Sequence, residues 1–564
     1  MDKPGAVIDV EFGEHPPNLV IGAWESQARR LLDELGWKDE VVCGRRFEGG
    51  ASLAITAPVD ALYAATEIVE AAWDAARDQV EGGNRQLLRR VARSLREEVR
   101  DEERPRLQRL LAAAREHRVP VVLDTEEVSL GLGVHSRCWT LGDVPHPDDV
   151  DWASLKPIPL ALVTGTNGKT TTVRLMSAIG AAAGLTTGIS STDWLSIGGE
   201  IIEKDDYAGP EGARKILRHR RCELAVLETA RGGLLRRGLA VQRADAALIT
   251  NIASDHLGEF GVQTLAELAD VKWVVTRALD EEGVAVLNAD DPLLVERGLR
   301  HPGRIIWFSH DPGNPLLKAH REAGGTVCTL NRGRIVLMQG DAVTPVVSLK
   351  KIPICFGGAA RHNVANALGA TGLSTALSIE PAAIASGLCA LRNEDNPGRG
   401  NLYQVGEVSV LLDFAHNPHG LRAMVELAAA LPARRRALII GQAGDRSDDD
   451  IRELAWAAEA IRFERVYIKK LERYSRGRPV GEAAAMLREE FLAQGYKAGS
   501  LASSKTESSA LRSALKWAEP GDLVVCLAHE DRDKVMAELD ALQAESRKPA
   551  KKKQKPARSA VKKA

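Results

Sequence analysis

The sequence predicts a multidomain α/β protein: a central parallel-sheet domain built on a phosphate-binding loop, a C-terminal doubly wound α/β domain, and a smaller α+β N-terminal domain ahead of both. Three observations predict it. An apolar run at 158–163 passes through Thr164-Gly165-Thr166-Asn167-Gly168-Lys169-Thr170-Thr171-Thr172 into a helical pattern with Val173, Met176 and Ile179 on one face. Short apolar runs at 224–227, 246–249 and 284–287 then alternate with helical segments, as in a parallel sheet. A second alternation follows Pro397-Gly398-Arg399, with strand candidates at 408–414, 437–440, 465–468 and 523–527.

Taken in order, residues 1–140 form the N-terminal domain. Its stretch 87–117 carries Leu87, Leu88, Val91, Leu95, Leu107 and Leu111 on an apolar face, broken at Pro105, and 119–123 reads as a short strand. The proline-bearing segment 141–157 reads as a linker. The central domain spans 158–396; within it 326–354 has short β-like runs around glycines, a small β insertion or edge, and a helix over 363–387 closes the domain. The C-terminal domain spans 397–545. The last nineteen residues, 546–564, hold nine Lys or Arg and no acid, a flexible tail that either aids solubility or touches a polyanion.

Composition narrows the classes. Lys+Arg of 75 against Asp+Glu of 77 leaves a net charge of −2, so no global field recruits nucleic acid. Seven cysteines without a Cys-x-x-Cys pair suit a reducing cytoplasm. No apolar stretch reaches membrane-spanning length, and the N-terminus lacks the form of a secretory signal.

The chemistry is carried by strand ends. Glycines at a strand-to-helix turn let backbone N–H groups face phosphate oxygens at the positive helix end. Gly165, Thr166, Asn167, Gly168, Lys169, Thr170 and Thr171 form this loop, a shortened variant with Val163 where the longer motif has glycine. Lys169 reaches the terminal phosphates and the Thr170 hydroxyl holds Mg²⁺. Glu228 and Asn251 follow strands of the same sheet, and His256 lies in the next loop; with Thr170, Glu228 and His256 offer ligands to the ion, against the plainer readings of a solvated acid and a structural histidine. Residues 229–238, with Arg231, two glycines and further arginines, read as a flexible cationic loop able to hold a carboxylate, or as a basic surface turn. Residues 287–292 read as a strand cap and turn.

In order, the segments 164–172, 228–238, 251–258, 287–292, 361–369, 397–399, 413–420, 441–446 and 476–482 resemble the Mur ligase superfamily of ATP-dependent amide-bond ligases, and in particular the Mur-like half of the cyanophycin synthetases. The stretch 51–63 and the stretch 119–137 with Ser129-Leu130-Gly131-Leu132-Gly133 resemble the start of those enzymes, but the ATP-grasp module that normally follows is missing.

The resemblance implies an ATP-dependent carboxylate–amine ligase working through an acyl phosphate, with ATP and two Mg²⁺, on an amino acid, peptide or cyanophycin-like carboxylate. It places Asn366 at the adenine, Asp413 at the ribose, and Arg399 and His416 at the phosphates. Lys272 stands where many relatives carry a carbamylated lysine, an ordinary helical lysine being the alternative. Lys169, Glu228, His256, Lys272 and Arg399 are the expected catalytic set, and Arg231, Asn417, Arg476 and Arg478 the expected substrate contacts. The expected partners are the two small substrates, a separate ATP-grasp ligase or a peptide polymer, and further copies of the chain. A nucleotide-binding scaffold subunit or a kinase-like phosphotransferase is the alternative. Lys469-Lys470-Leu471-Glu472-Arg473 stands where an acidic run is expected to hold arginine, which argues against arginine as the amine.

Overall fold

The computed structural model describes residues 3–47, 49–82 and 88–547. Leu87 and the tail from 548 onward lie outside the described residues. The chain forms two compact units: 1–328 with 338–342 and 369–384, and 329–337 with 343–368 and 385–564. The N-terminal segment clusters with the central sheet in the first of these units.

In the first unit β1 (Gly5–Glu11), α1 (Pro17–Leu35), β2 (Val42–Phe47), β3 (Gly50–Thr56), α2 (Leu62–Val80) and α3 (Leu88–Glu102) open the chain. The antiparallel strands run in the order β1-β3-β2. Alternation turns Ala6, Val10, Ala51, Leu53 and Ile55 toward the helices, where Trp24, Leu31 and Ile68 complete a core. α4 (Pro105–Glu116), β4 (Val121–Leu123), β5 (Glu127–Leu130) and β6 (Arg137–Thr140) make a second small layer. The segment expected as a linker is packed: Val144, Val150 and Leu155 are buried in the same core as Leu107 and Leu130. Apolar residues spaced along an otherwise polar strip outweigh its prolines.

The central sheet comprises β7 (Leu160–Thr164), β8 (Thr187–Ser190), β9 (Leu195–Ile197), β10 (Glu200–Glu203), β11 (Leu224–Glu228), β12 (Ala244–Ile249), β13 (Leu279–Asn288), β14 (Arg304–Phe308) and β15 (Thr326–Asn331). Its order in this unit is β10-β9-β8-β11-β7-β12-β13-β14-β15, parallel from β8 onward. The helices are α5 (Lys169–Ala182), α6 (Pro210–Arg218), α7 (Arg231–Arg237), α8 (Leu265–Trp273), α9 (Pro292–Gly298) and α10 (Pro315–Glu322). Being covered on both faces, the strands read as continuous apolar runs; every residue of β7 is buried. The chain leaves β7 toward β8 and β11 on one side and returns to β12 on the other, so β7 is the point where strand order reverses. Such a crevice receives ligands.

The expected β insertion is β15 with β16 (Arg334–Gln339) and β17 (Ala342–Ser348). The helix expected over 363–387 is two, α11 (Arg361–Ala376) and α12 (Pro381–Ala390), parted where Ser378 takes φ +58° ahead of Pro381.

The second unit carries β18 (Arg399–Val405), β19 (Val408–Asp413), α13 (Pro418–Ala430), β20 (Arg436–Ile440), α14 (Asp448–Trp456), β21 (Arg465–Lys469), α15 (Glu482–Ala493), β22 (Leu501–Ser504), α16 (Glu507–Trp517), β23 (Leu523–Leu527) and α17 (Arg532–Ser546). The strand order is β18-β19-β23-β20-β21-β22, antiparallel only at β18–β19. At the carboxyl edge of this sheet lies a buried charge cluster. The Lys469 ammonium, fully buried, donates to the Glu507 carboxylate and the Leu527 carbonyl and lies 3.3 Å from His529 Nδ1. Glu507 also accepts from the backbone N–H of His529 at 2.6 Å and of Asp531 at 2.8 Å. His529 Nε2 lies 2.9 Å from the Ala415 carbonyl, and burial followed by the Lys469 cation holds its imidazole well below the ordinary range, hence neutral.

Removing one partner of such a pair leaves a buried charge alone. Lys469→Met is expected to destabilise the chain by about 3–5 kcal/mol, and Lys469→Met with Glu507→Leu to recover most of it, as read by calorimetric unfolding. Because His529 is held neutral when folded, stability should also fall as pH drops below about 6.5.

Candidate active site

β7 hands directly into a loop braced by the neighbouring strand. Gly165, at φ +137°, passes so close to β12 that a Cβ would lie 1.9 Å from Thr250 Oγ1, and Gly168 at φ +90° turns the chain into α5. The Thr166 N–H donates to the Asn251 carbonyl (2.9 Å), the Asn167 N–H to Asn251 Oδ1 (3.1 Å), and Asn251 Nδ2 and Thr250 Oγ1 both donate to the Asn167 carbonyl (3.0 and 2.6 Å). These bonds hold the loop's shape, while the first turn of α5 presents N–H groups that have no acceptor within the helix. The N-terminal partial positive charge of the helix falls at the same place.

Two amines converge on one carbonyl. Lys169 Nζ donates to the carbonyls of Gly165 (3.1 Å) and Thr166 (2.9 Å), and Lys272 Nζ, from the last turn of α8, donates to Gly165 at 2.8 Å. Lys272 is buried, and burial followed by the Lys169 cation drives its pKa far down; Arg231 adds to the shift while Asp255 and Glu228 oppose it. Burial thus favours the uncharged form of this amine relative to an exposed lysine.

Glu228, the last residue of β11, is 1% exposed. Its carboxylate accepts from Thr170 Oγ1 (2.9 Å), from Thr192 Oγ1 (2.8 Å) and from the Thr192 N–H (3.3 Å). All three donors are neutral, so they orient the carboxylate without bringing a positive charge to it. A divalent cation fits this set: the donors are hard oxygens, and the Thr170 hydroxyl touches the Glu228 carboxylate. Thr192 follows β8 and escaped sequence reasoning, although its place beyond a strand of the same sheet was the available signal.

His256 is tied elsewhere. Its Nδ1 lies 2.7 Å from Glu259 Oε1, its carbonyl accepts from Arg231, and Arg231 Nη2 pairs with Glu259 Oε2 at 2.6 Å. Of the three expected metal ligands, the structure thus joins Thr170 and Glu228 directly and bonds His256 to Glu259. Residues 229–238 are not a flexible loop: 231–237 form α7, and Arg231 is buried. Its two glycines bring the helix against Gly209, with a Cβ at Gly233 only 3.2 Å from the Gly209 Cα. Asp291, in the segment expected as a strand cap and turn, is the N-cap of α9 and also accepts from the Ile252 N–H at 2.6 Å, anchoring the loop that follows β12.

In the second unit, the β18–β19 hairpin pairs Arg399 with Asp413. Burial pushes the Asp413 carboxyl up to about 6, against the Arg399 cation and the N–H groups of Ala415 and Gly400. Arg399 lies over the Phe414 ring at 4.9 Å, and His416 Nδ1 lies 3.0 Å from the Phe414 carbonyl. Asn366 is buried on α11, donating to Asn363 Oδ1 at 3.2 Å. Two of the expected substrate contacts do structural work. Asn417 is the N-cap of α13, accepting from the Gly420 N–H at 2.8 Å. Arg478 latches its loop to the carbonyls of Gly444 (3.0 Å) and Arg446 (2.9 Å) and to Asp448 and Glu482. Arg476 pairs with Asp445 and lies over Tyr474.

The fold and the braced loop at its strand-order reversal define a P-loop α/β protein with a buried carboxylate beside the phosphate turn. Residues 163–374 match the Mur ligase middle domain and 398–529 the Mur ligase, glutamate ligase domain, together more than half of the chain. The chain belongs to the Mur ligase superfamily. It is 37% identical over 370 residues to the cyanophycin synthetase of Synechocystis sp., a match covering 65% of this chain and 42% of that one. It is 30% identical over 303 residues to the UDP-N-acetylmuramoyl-L-alanyl-D-glutamate–2,6-diaminopimelate ligase of Gloeobacter violaceus, covering 52% and 57%. The chain spans about two fifths of the length of the cyanophycin synthetases it matches. Among solved structures, the bifunctional folylpolyglutamate synthase/dihydrofolate synthase of Yersinia pestis, complexed with AMPPNP and Mn, shares the fold with a TM-score of 0.51 at 21% identity, over 68% of this chain and 89% of that one. No helix among the described residues is long and apolar enough to cross a membrane.

The Asp413 carboxyl is expected to titrate near pH 6 in a carboxyl-detected NMR titration, and Arg399→Gln, by removing the cation that favours the charged form, to move that midpoint upward.

Proposed function

We propose that the chain is an ATP-dependent carboxylate–amine ligase of the cytoplasm, joining an amino acid or amine to a carboxylate of an amino acid, peptide or cyanophycin-like substrate. The observation that carries this reading is the direct contact of Thr170 with the buried Glu228 carboxylate, next to an α5 N-terminus whose lysine folds over the phosphate turn. The superfamily membership supports it.

A carboxylate is a poor acyl donor because its leaving group would be oxide. Attack of a carboxylate oxygen on the ATP γ-phosphorus forms a new P–O bond and releases ADP. The amine nitrogen then attacks the acyl carbon, loses its proton, and phosphate departs as the C–O bond breaks. Lys169 and the α5 N–H groups hold the phosphates, and positioning and charge neutralisation dominate such transfers. Thr170 and Glu228 would hold a divalent ion, which supplies further neutralisation of the transferring phosphoryl group. Asn366 and Asp413 keep the adenine and ribose roles that the resemblance implies, and Arg399 and His416 the phosphate roles. Lys272, buried where the uncharged amine is favoured, suits addition to CO₂: its nitrogen bonds the carbon, a proton leaves for solvent, and an anionic carbamate remains. A separate ATP-grasp ligase and self-association belong to the same reading.

Three acids packed near residues 469–478 pair with the chain's own cations, Glu507 with Lys469, Asp531 with Arg473 and Asp445 with Arg476. This supports an amine other than arginine.

ADP release in a screen of amino acids, dipeptides and amines should depend on both substrates, and mass spectrometry should show the amide. Lys169→Ala and Glu228→Gln should each lower turnover by roughly a hundred- to a thousandfold. ATP turnover unchanged in both variants would defeat the assignment, and nucleotide binding without turnover across the panel would favour a scaffold subunit. Stripping CO₂ from the buffer should lower wild-type turnover and leave Lys272→Met unaffected; equal rates with and without CO₂ would make Lys272 a purely structural brace of Gly165.

A further inference from the structure

The loop that presents His256 and Glu259 is strained and held from outside the central sheet. His256 (φ +54°), Gly258 (+92°), Phe260 (+53°) and Gly261 (+65°) all take left-handed backbone within six residues. For His256 and Phe260, which carry side chains, this backbone is unfavourable and persists only where the surroundings over-determine it. Within the loop the Gly258 N–H donates to the Val262 carbonyl at 2.8 Å, and the Arg231 and Arg236 guanidinium groups lie 6.0 and 5.5 Å from the Phe260 ring.

The remaining restraint comes from the N-terminal module. In β2, alternation sends Val42 into the core beneath α1–α3 and leaves Arg45 and Phe47 on the sheet face without helices. Arg45 Nη2 donates to the Phe260 carbonyl at 2.9 Å. The Phe47 side chain lies so close to Gly261 that a Cβ there would sit 2.7 Å from its ring. Three residues further on, Thr264 and Glu267 form the capping box that starts α8, the helix bearing Lys272. The N–H groups of Gln263 and Thr264, and with them the Arg45 cation, hold the Glu267 carboxyl below its usual range.

We propose that the N-terminal module is a positioning element of the active site: Arg45 and Phe47 hold the 256–261 loop in its strained form, and through it the His256–Glu259–Arg231 group and the start of α8. They act through the loop and are positioning residues. The turnover part of this inference rests on the ligase reading; the contact itself does not. Because the phosphate turn takes most of its bracing from Thr250 and Asn251, with one bond from Lys272 of α8 to the Gly165 carbonyl, loss of the clamp should weaken the chemical step more than nucleotide binding.

The test uses the full chain with Arg45→Gln, Arg45→Lys and Phe47→Leu. Amide hydrogen exchange should quicken across 256–262 in Arg45→Gln and Phe47→Leu, with the 165–171 turn unchanged. In the ADP-release assay, kcat should fall by roughly ten- to a hundredfold while the affinity for ATP, measured by fluorescent-nucleotide displacement, stays within twofold. Arg45→Lys, which retains one donor for the Phe260 carbonyl, should recover most of the rate. Unchanged exchange in 256–262 overturns the inference whatever the turnover. So does faster exchange with an unaltered kcat, or a loss of ATP affinity equal to the loss of rate. Failure of Lys169→Ala to affect turnover would refute the ligase site, leaving the exchange result to judge the clamp.

Discussion

A carboxylate buried at the end of a parallel strand and oriented by hydroxyl and amide donors is the constraint on which the site depends. Neutral donors orient Glu228 without cancelling its charge. The sheet places it one strand from the phosphate turn, and two lysine amines are engaged on loop carbonyls: Lys169 on Gly165 and Thr166, Lys272 on Gly165. The fold thus holds negative charge on one side of the turn and N–H groups and ammonium on the other. Such a division makes sense for a ligand that brings phosphate oxygens and a divalent ion together, each meeting the charge it lacks.

The two lysines on that carbonyl illustrate how place sets chemistry. Lys169 opens a helix and is partly buried, so it can leave the loop carbonyls for an anion. Lys272 is enclosed, and the neighbouring Lys169 cation adds to the desolvation that disfavours its own charge. One serves as a cation and the other as an amine, a difference that no spacing along the chain reveals.

The parallel strands, the phosphate loop and the β7–α5 junction were legible because they rest on local rules: apolar runs, glycines where φ must be positive, and the helical spacing of Val173, Met176 and Ile179. The errors came where long-range contacts override local character. Residues 229–238 look flexible by composition, yet Arg231 finds Glu259 and the His256 carbonyl, and that pairing orders α7. The strip 141–157 looks like a linker until Val144, Val150 and Leu155 find the core of a neighbouring layer. Lys469 read only as one of a basic run where an acidic one was expected, whereas its partner Glu507 stands thirty-eight residues away and meets it in a fully buried pair. The ring of Phe47 over Gly261 has no local signature at all.

The carboxyl edge of the C-terminal sheet bears on which amine the site accepts. Acids are not scarce there: Asp445, Glu507, Glu530 and Asp531 all lie beyond strand ends or at helix starts. Each is already answered, Asp445 by Arg476, Glu507 by Lys469, and Glu530 and Asp531 by Arg473. An incoming guanidinium would therefore have to break an existing pair and leave a chain cation without its counter-charge, so the gain of one ion pair is offset by the loss of another. Two of these pairs also shape the loop itself, through Arg476 over the Tyr474 ring and the Tyr474 N–H donating to Glu530 at 3.0 Å. On the proposed ligase reading, these pairings disfavour a cationic amine at Asp445, Glu507, Glu530 and Asp531 relative to one whose side chain is neutral or anionic.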